Sequence, residues 1–108
     1  MVLALDMDDG GLLAFPSTAE AVAHCKGVDV EDGFWRLFAE DGSPLAARRE
    51  TDVTSMAGAY TLERAMSGRW LQELLPQVVT VKGCGLSTVA ELVGILKENR
   101  GKRAARNE

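Results

Sequence analysis

Residues 12–50, LLAFPSTAEAVAHCKGVDVEDGFWRLFAEDGSPLAARRE, contain most of the signals that decide the fold. The apolar run 12–15 predicts a strand, and Ser17 and Glu20 have the S-x-x-E spacing of a capping box that starts a helix. The aromatic run 34–38 predicts a strand that is apolar on both faces, and Asp41 with Gly42 is typical of a hairpin turn. This order of strand, capped helix, strand and hairpin predicts an α+β fold.

The sequence on either side of this stretch predicts further short elements. Residues 2–5 are apolar and predict a strand that pairs with 12–15 through an Asp- and Gly-rich turn. Other apolar patterns predict strands over 45–49, 60–62 and 78–81, a short helix over 70–75, and a longer helix that follows residue 87. We expect an antiparallel or mixed sheet of about five short strands, with two or three helices packed on one face.

Each of the two helices that flank this sheet has a sequence signal at its start and at its end. The first is expected to end at Gly27 and to bury the stripe Ala19, Val22 and Ala23. The last is expected to begin at Ser87 or Thr88, since Glu91 completes a second capping box. Gly101 is placed to end this last helix.

The composition is that of one soluble globular domain. The chain has 108 residues, of which 46% are hydrophobic and 26% are charged. We expect a single domain over residues 1–101 and a basic, flexible tail over 102–108. The net charge is −4, and residues 1–45 hold nine Asp and Glu against only Lys26 and Arg36. An acidic surface of this kind repels nucleic acid and favours a basic protein partner.

The cysteine and histidine content argues against a metal site. Cys25 and Cys84 are the only cysteines, His24 is the only histidine, and their spacing matches no zinc motif. This spacing leaves open whether the thiols pair and whether either is functional. No secretory leader opens the sequence and no run of about 18 apolar residues occurs, so we expect a cytoplasmic protein without a membrane segment. We expect no cofactor and no metal.

The first strand leads into the one segment that suggests an enzyme. Asp6 and Asp8 follow an apolar strand with the D-x-D spacing and so resemble the first motif of haloacid-dehalogenase-type phosphatases. The resemblance implies that Asp6 is a nucleophile and magnesium ligand, and that Asp8 is a general acid and base. The chain departs from that motif at Gly10, where these phosphatases have threonine.

A second resemblance covers residues 12–50. Its parts are the strand and cap over 13–17, the helix start at Glu20 and Ala21, the segment VDVEDG over 28–33, the aromatic strand, and the turn over 40–42. In this order they resemble a type of small bacterial α+β protein that is similar to the immunity proteins of polymorphic toxin systems. The resemblance implies that the chain neutralises a cognate toxin.

These observations predict a non-enzymatic protein-binding module, most concretely an immunity protein that occludes the active site of a toxin. An acidic surface would then meet a basic toxin cleft. The expected contact residues are Asp29, Glu31, Asp32, Trp35, Glu40 and Asp41. We expect the aromatic residues to lie in the core, and an exposed Trp35 or Trp70 would be a candidate anchor at the interface. The alternatives are a metal-dependent phosphatase based on Asp6 and Asp8, and a regulatory homodimer.

Overall fold

A computed structural model of the chain describes residues 1–25, 30, 33–49 and 60–106. Its elements in chain order are β1 (Val2–Asp6), β2 (Gly11–Phe15), α1 (Thr18–His24), β3 (Trp35–Ala39), β4 (Pro44–Arg49), β5 (Tyr60–Arg64), α2 (Leu71–Leu74), a 3₁₀ turn (Leu75–Gln77), β6 (Thr80–Lys82) and α3 (Val89–Arg106). Within the described part of the chain, no helix has both the length and the apolar character that crossing a membrane requires.

The six strands of the described residues form one mixed sheet in the order β5-β4-β3-β1-β2-β6. Every neighbouring pair is antiparallel except β2 and β6, which are parallel. The α+β class and the mixed sheet are therefore confirmed, with six strands rather than about five. The last strand begins at Thr80, later than predicted, because the N–H of Val78 still closes the 3₁₀ turn on the carbonyl oxygen of Leu75 (3.0 Å).

The turn between β1 and β2 is what brings β6 to the edge of the sheet. Gly10 has a φ of +78°, a conformation that favours glycine. A Cβ at this position would lie 2.5 Å from the carbonyl oxygen of Gln77, so the two segments approach as closely as they do because no side chain separates them. The carbonyl oxygen of Gly10 accepts a hydrogen bond from the N–H of Val79 (2.7 Å), directly before β6 begins.

The sheet separates two apolar cores, since successive side chains of a strand point to opposite faces. On one face, Leu3 and Leu5 of β1 belong to the larger core, which includes residues of α2 and α3. On the other face, Ala4 packs with Cys25 and Leu37 in a smaller core beneath α1. Helices therefore lie on both faces of the sheet, rather than on one face as expected from the sequence.

The buried side of α1 also differs from the prediction. Ala21 and Cys25, four residues apart, are fully buried, whereas Ala19 and Ala23 are exposed. The predicted stripe was thus wrong in two of its three positions, because only a narrow side of this seven-residue helix meets the sheet. The helix ends at His24, and the N–H of Cys25 donates to the carbonyl oxygen of Ala21 (2.8 Å). Gly27, the predicted end, lies outside the described residues.

Side-chain caps start both of these helices at the predicted residues, and at α3 they form a complete capping box. Ser17 Oγ accepts from the N–H of Glu20 (3.3 Å) at the start of α1. At the start of α3, Thr88 Oγ1 accepts from the N–H of Glu91 (3.2 Å), and Glu91 Oε1 accepts from the N–H of Ser87 (2.9 Å). The prediction that Gly101 ends this helix was wrong, since α3 continues to Arg106. A single glycine inside a helix costs only about 1 kcal/mol, which is too little to end it.

Candidate functional site

The sheet opens between β3 and β4. Along β1 and β3 five residue pairs are in register, and along β4 and β5 another five. Between β3 and β4 the register covers only Leu37 with Leu45 and Phe38 with Pro44. The two strands are joined by the turn at Asp41 and Gly42, so they separate as they leave this turn. A gap within the sheet is the result.

Hydrogen bonds on either side of the gap show which backbone groups border it. The N–H of Ala39 donates to the carbonyl oxygen of Ser43 (2.9 Å), so Ala39 points its polar groups towards β4. Because this orientation alternates along an antiparallel strand, Trp35 points the same way. The register places Ala47 opposite Trp35, yet these two residues do not pair. The N–H and carbonyl groups of Trp35 and Ala47 therefore border the gap.

A cleft of about 320 Å³ occupies this gap, and we call it the β3–β4 cleft. Its walls come from β3, from β4 and from the segment that follows β5, which includes Ser67, Gly68 and Arg69. The volume is at the lower end of the range for ligand pockets, which begins at about 300 Å³. The cleft can therefore hold a short chain segment or a small molecule, but not a folded domain.

The two sides of the β3–β4 cleft differ chemically. Arg36 shares a face with its neighbour two residues on, Phe38, and so lies on the side of the larger core. Arg69 lies two residues before α2, which packs on that same face. On the side of the smaller core, the lining is apolar and includes Trp35, Leu37, Leu45 and Ala47. The side of the larger core therefore carries the two cationic groups of the cleft, next to the apolar Phe38, Pro44 and Ala46, whereas the side of the smaller core is apolar.

Trp35, one of the predicted contact residues, forms part of the cleft wall. It is partly buried and packs against the smaller core. The centroid of its ring lies 5.8 Å from that of His24, edge to face, and His24 in turn lies 5.3 Å from the ring of Phe15. Because α1 holds its ring in this way, Trp35 presents a fixed surface to the cleft.

Glu40 and Asp41 lie at the other end of β3 and do not belong to this site. Glu40 follows Trp35 by five positions, a distance of about 16 Å along the strand. The carboxylate of Glu40 lies 3.6 Å from the amino group of Met1. Asp41 is only 2% exposed, and its Oδ1 accepts from the N–H (3.0 Å) and the hydroxyl (2.6 Å) of Ser43. Asp41 therefore stabilises the hairpin turn and is too deeply buried to contact a partner, contrary to the prediction.

The other three predicted contact residues, Asp29, Glu31 and Asp32, lie outside the described residues. Their described neighbours in the sequence, Val30 and Gly33, both line the β3–β4 cleft. The N–H of Gly33 donates to the carbonyl oxygen of Val30 (3.1 Å).

The turn between β1 and β2 uses the carboxylate of Asp6, the first residue of the phosphatase-like motif, together with that of Asp9. Asp6 Oδ1 accepts from the N–H of Asp8 (2.8 Å) and of Asp9 (3.4 Å). Asp9 Oδ1 accepts from the N–H of Gly11 (2.8 Å). Asx turns of this kind account for the sequence D-x-D-D-G without any catalytic role. Among the residues that the structure describes, no group of three or more His, Cys, Asp or Glu could hold a metal ion.

Exposed apolar side chains occur over residues 65–70, which we call the anchor segment; the sequence named Trp70 as a candidate anchor if exposed, but gave no indication of Met66. Met66 is fully exposed, and Trp70 is 36% exposed at the start of α2 rather than in the core, as expected for the aromatic residues. Four residues of the segment line the cleft, so these two side chains lie beside it. The signal available in the sequence was the succession Met, Ser, Gly, Arg and Trp over 66–70, which has no helical or strand periodicity.

Comparison with known proteins gives no match for this chain among protein-family models, curated proteins or solved structures. Its function must therefore be inferred from its own geometry.

Proposed function

We propose that the chain is a non-enzymatic protein-binding module, and that it acts as an immunity protein which occludes the active site of a bacterial toxin. The observation that carries this proposal is the juxtaposition of an open cleft with the exposed Met66 and Trp70 of the anchor segment. The resemblance of residues 12–50 to immunity-type proteins supplies the toxin as the class of partner.

The side chains at this surface are those that protein interfaces favour. Trp, Met and Arg are enriched at the buried centre of interfaces, and Trp and Arg are frequent hot spots. Covering a fully exposed methionine gains about 1.5–3 kcal/mol of transfer free energy. Met66, Arg69 and Trp70 all belong to the anchor segment, and Phe34, directly before β3, is also exposed. Together they support a contact surface around the cleft.

The acidic residues give the proposed interface its charge. We expect Asp29, Glu31 and Asp32 to meet basic groups at the entrance to a toxin active site, and their described sequence neighbours Val30 and Gly33 line the cleft. Glu40 lies at the far end of β3 and would contribute only to long-range attraction. Inhibition would follow from steric occlusion of the active site.

Affinity purification of the tagged chain from its own organism, followed by mass spectrometry, tests the proposal. We expect one stoichiometric partner whose enzymatic activity the purified chain inhibits. The variant Met66→Ala/Trp70→Ala should weaken this inhibition, because it removes two exposed anchors. Val79→Ala is the matched control, since Val79 is 70% exposed beside β6, at the opposite edge of the sheet.

Three outcomes would contradict the proposal. One is a partner that binds the chain but retains full enzymatic activity, which would rule out inhibition as the function. Another is equal inhibition by Met66→Ala/Trp70→Ala and by the wild-type chain, which would remove the anchor segment from the interface. The third is a dimeric mass in light scattering that Met66→Ala/Trp70→Ala converts to a monomer, which would assign this surface to a homodimer.

A further inference from the structure

We infer that the β3–β4 cleft binds an extended, acidic segment of the partner protein, an inference that rests on the proposed binding function. The backbone of this segment would pair with the polar groups of Trp35 and Ala47. Its carboxylates would contact Arg36 and Arg69, and its apolar side chains would pack on the opposite side of the cleft.

The backbone of the cleft is suited to an extended chain. Trp35 continues the β1–β3 register through Asp6, and Ala47 continues the β4–β5 register through Leu62, so each is held in a regular strand on its far side. On the near side, their N–H and carbonyl groups face the cleft instead of each other. One residue on each strand thus offers its N–H and carbonyl group to an extended chain, and these are the groups that β-strand addition uses.

The charge of the cleft selects carboxylates. Arg36 and Arg69 are exposed and line the cleft. In the described part of the chain, no acidic residue lines the cleft with them, and neither guanidinium is within ion-pair distance of a carboxylate. Arginine binds carboxylates through two parallel hydrogen bonds, which gives both affinity and orientation.

The two sides of the cleft also predict a sequence pattern for the bound segment. Side chains of an extended chain point alternately to opposite faces. One set would reach the side of Arg36 and Arg69, and the other the partly buried Trp35, Leu45 and Ala47 on the apolar side. The bound segment should therefore alternate acidic and apolar residues. With about 320 Å³ available, only a few of its residues would enter the cleft.

Selection from a display library of random linear peptides on the immobilised full chain tests this inference. We expect the selected peptides to alternate acidic and apolar residues and to lose affinity as the salt concentration rises. In fluorescence anisotropy with a labelled selected peptide, Arg36→Glu/Arg69→Glu should weaken binding about tenfold or more, because it places like charges against the peptide. Lys82→Glu/Lys97→Glu is the matched control, since it makes the same change of charge on β6 and α3, away from the cleft.

A steric variant provides an independent readout. Ala46→Trp would place a large side chain in the cleft wall, and should also abolish peptide binding. Circular dichroism and urea unfolding would identify any variant that does not fold, in which case the single substitutions Arg36→Gln and Arg69→Gln, at exposed positions, replace it. Selection of neutral or basic peptides, failure to select any peptide, or unchanged binding by the folded Arg variants would overturn the inference.

Inhibition assays with the purified partner protein distinguish a failure of this inference from a failure of the proposed function on which it rests. If the co-purified toxin is inhibited equally well by the wild-type chain and by Arg36→Glu/Arg69→Glu, the cleft does not hold an acidic segment although the binding function stands. If acidic peptides bind the cleft but no purified partner is inhibited, the inhibitory function fails while the specificity of the cleft stands.

Discussion

The two ends of the sheet are stabilised in different ways. At one end, β1, β2 and β6 are covered by α2 and α3 on one face, and α1 packs against β1 and β2, and also against β5, on the other; we call β1, β2 and β6 with these helices the covered half. At the other end, β4 and β5 pair with each other over five residues, but β4 joins β3 over only two; we call this the open half. We infer that the covered half contributes most of the stability of the fold, whereas the open half presents backbone and side-chain groups for contact with a partner.

Truncation of a core leucine should have the largest effect and should differ between the two halves. Leu3 is fully buried in the larger core, whereas Leu62 on β5 is only partly buried. We expect Leu3→Ala to lower the free energy of unfolding by about 2–5 kcal/mol. For Leu62→Ala we expect about 1 kcal/mol, because less apolar area is lost. Urea unfolding of both variants measures the difference, and equal losses would contradict the division between the halves.

The attachment of β6 to the covered half depends on Gly10. In Gly10→Ala, a positive φ is combined with a Cβ that meets the carbonyl oxygen of Gln77, so we expect a loss of about 1–3 kcal/mol in the free energy of unfolding. Gly33→Ala is the matched control, since Gly33 has a similar φ of +82° but nothing within 4 Å of its Cβ. A loss as large for Gly33→Ala as for Gly10→Ala would show that the contact with Gln77 contributes nothing.

Local signals account for the parts of the fold that the sequence predicted. Ser17 with Glu20 and Thr88 with Glu91 are capping pairs three residues apart, so their hydrogen bonds depend little on the rest of the chain. The parallel pairing of β2 with β6 joins segments nearly seventy residues apart, as in the register of Leu12 with Val81, and no local pattern specifies it.

The candidate site was harder to predict than the fold for the same physical reason. Trp35 could be named as an expected contact residue because its aromatic side chain is apparent from the sequence. The gap beside it could not be predicted, because it depends on where β3 and β4 separate. In the sequence, Asp41 and Asp9 cannot be distinguished from solvated surface acids. In the structure, the carboxylate of each accepts hydrogen bonds within a turn. Composition reports the charge of a residue and not whether a turn uses its carboxylate.

Hydrogen exchange should distinguish the amides that border the gap from those in the paired part of the same two strands. The N–H groups of Trp35 and Ala47 face the cleft, whereas those of Leu37 and Leu45 lie in the paired part of the same strands. We expect Trp35 and Ala47 to exchange about tenfold or more faster than Leu37 and Leu45, as measured by NMR. A bound acidic peptide should slow the two fast amides. Equal protection of all four amides in the unbound chain would show that the gap closes in solution.

The smallest effect expected is a pH dependence at the start of α3, in the covered half. Hydrogen bonds from the backbone N–H and the hydroxyl of Ser87, followed by those from Thr88, lower the pKa of Glu91 from its ordinary value of 4.5. Because the pKa is lower in the folded chain than in the unfolded chain, the stabilisation is present above the ordinary value and is lost as the pH falls through the lowered pKa.

Glu91→Gln tests this dependence, because a glutamine oxygen still accepts the hydrogen bonds of the capping box but does not titrate. Urea unfolding from neutral to acidic pH should therefore show a smaller loss of stability in the variant than in the wild-type chain. The loss in the wild-type chain should be accompanied by faster exchange of the first amides of α3, while the amides of Trp35 and Ala47, which border the β3–β4 cleft, remain unchanged. Identical pH profiles for the two chains would show that the carboxylate charge of Glu91 does not stabilise the helix.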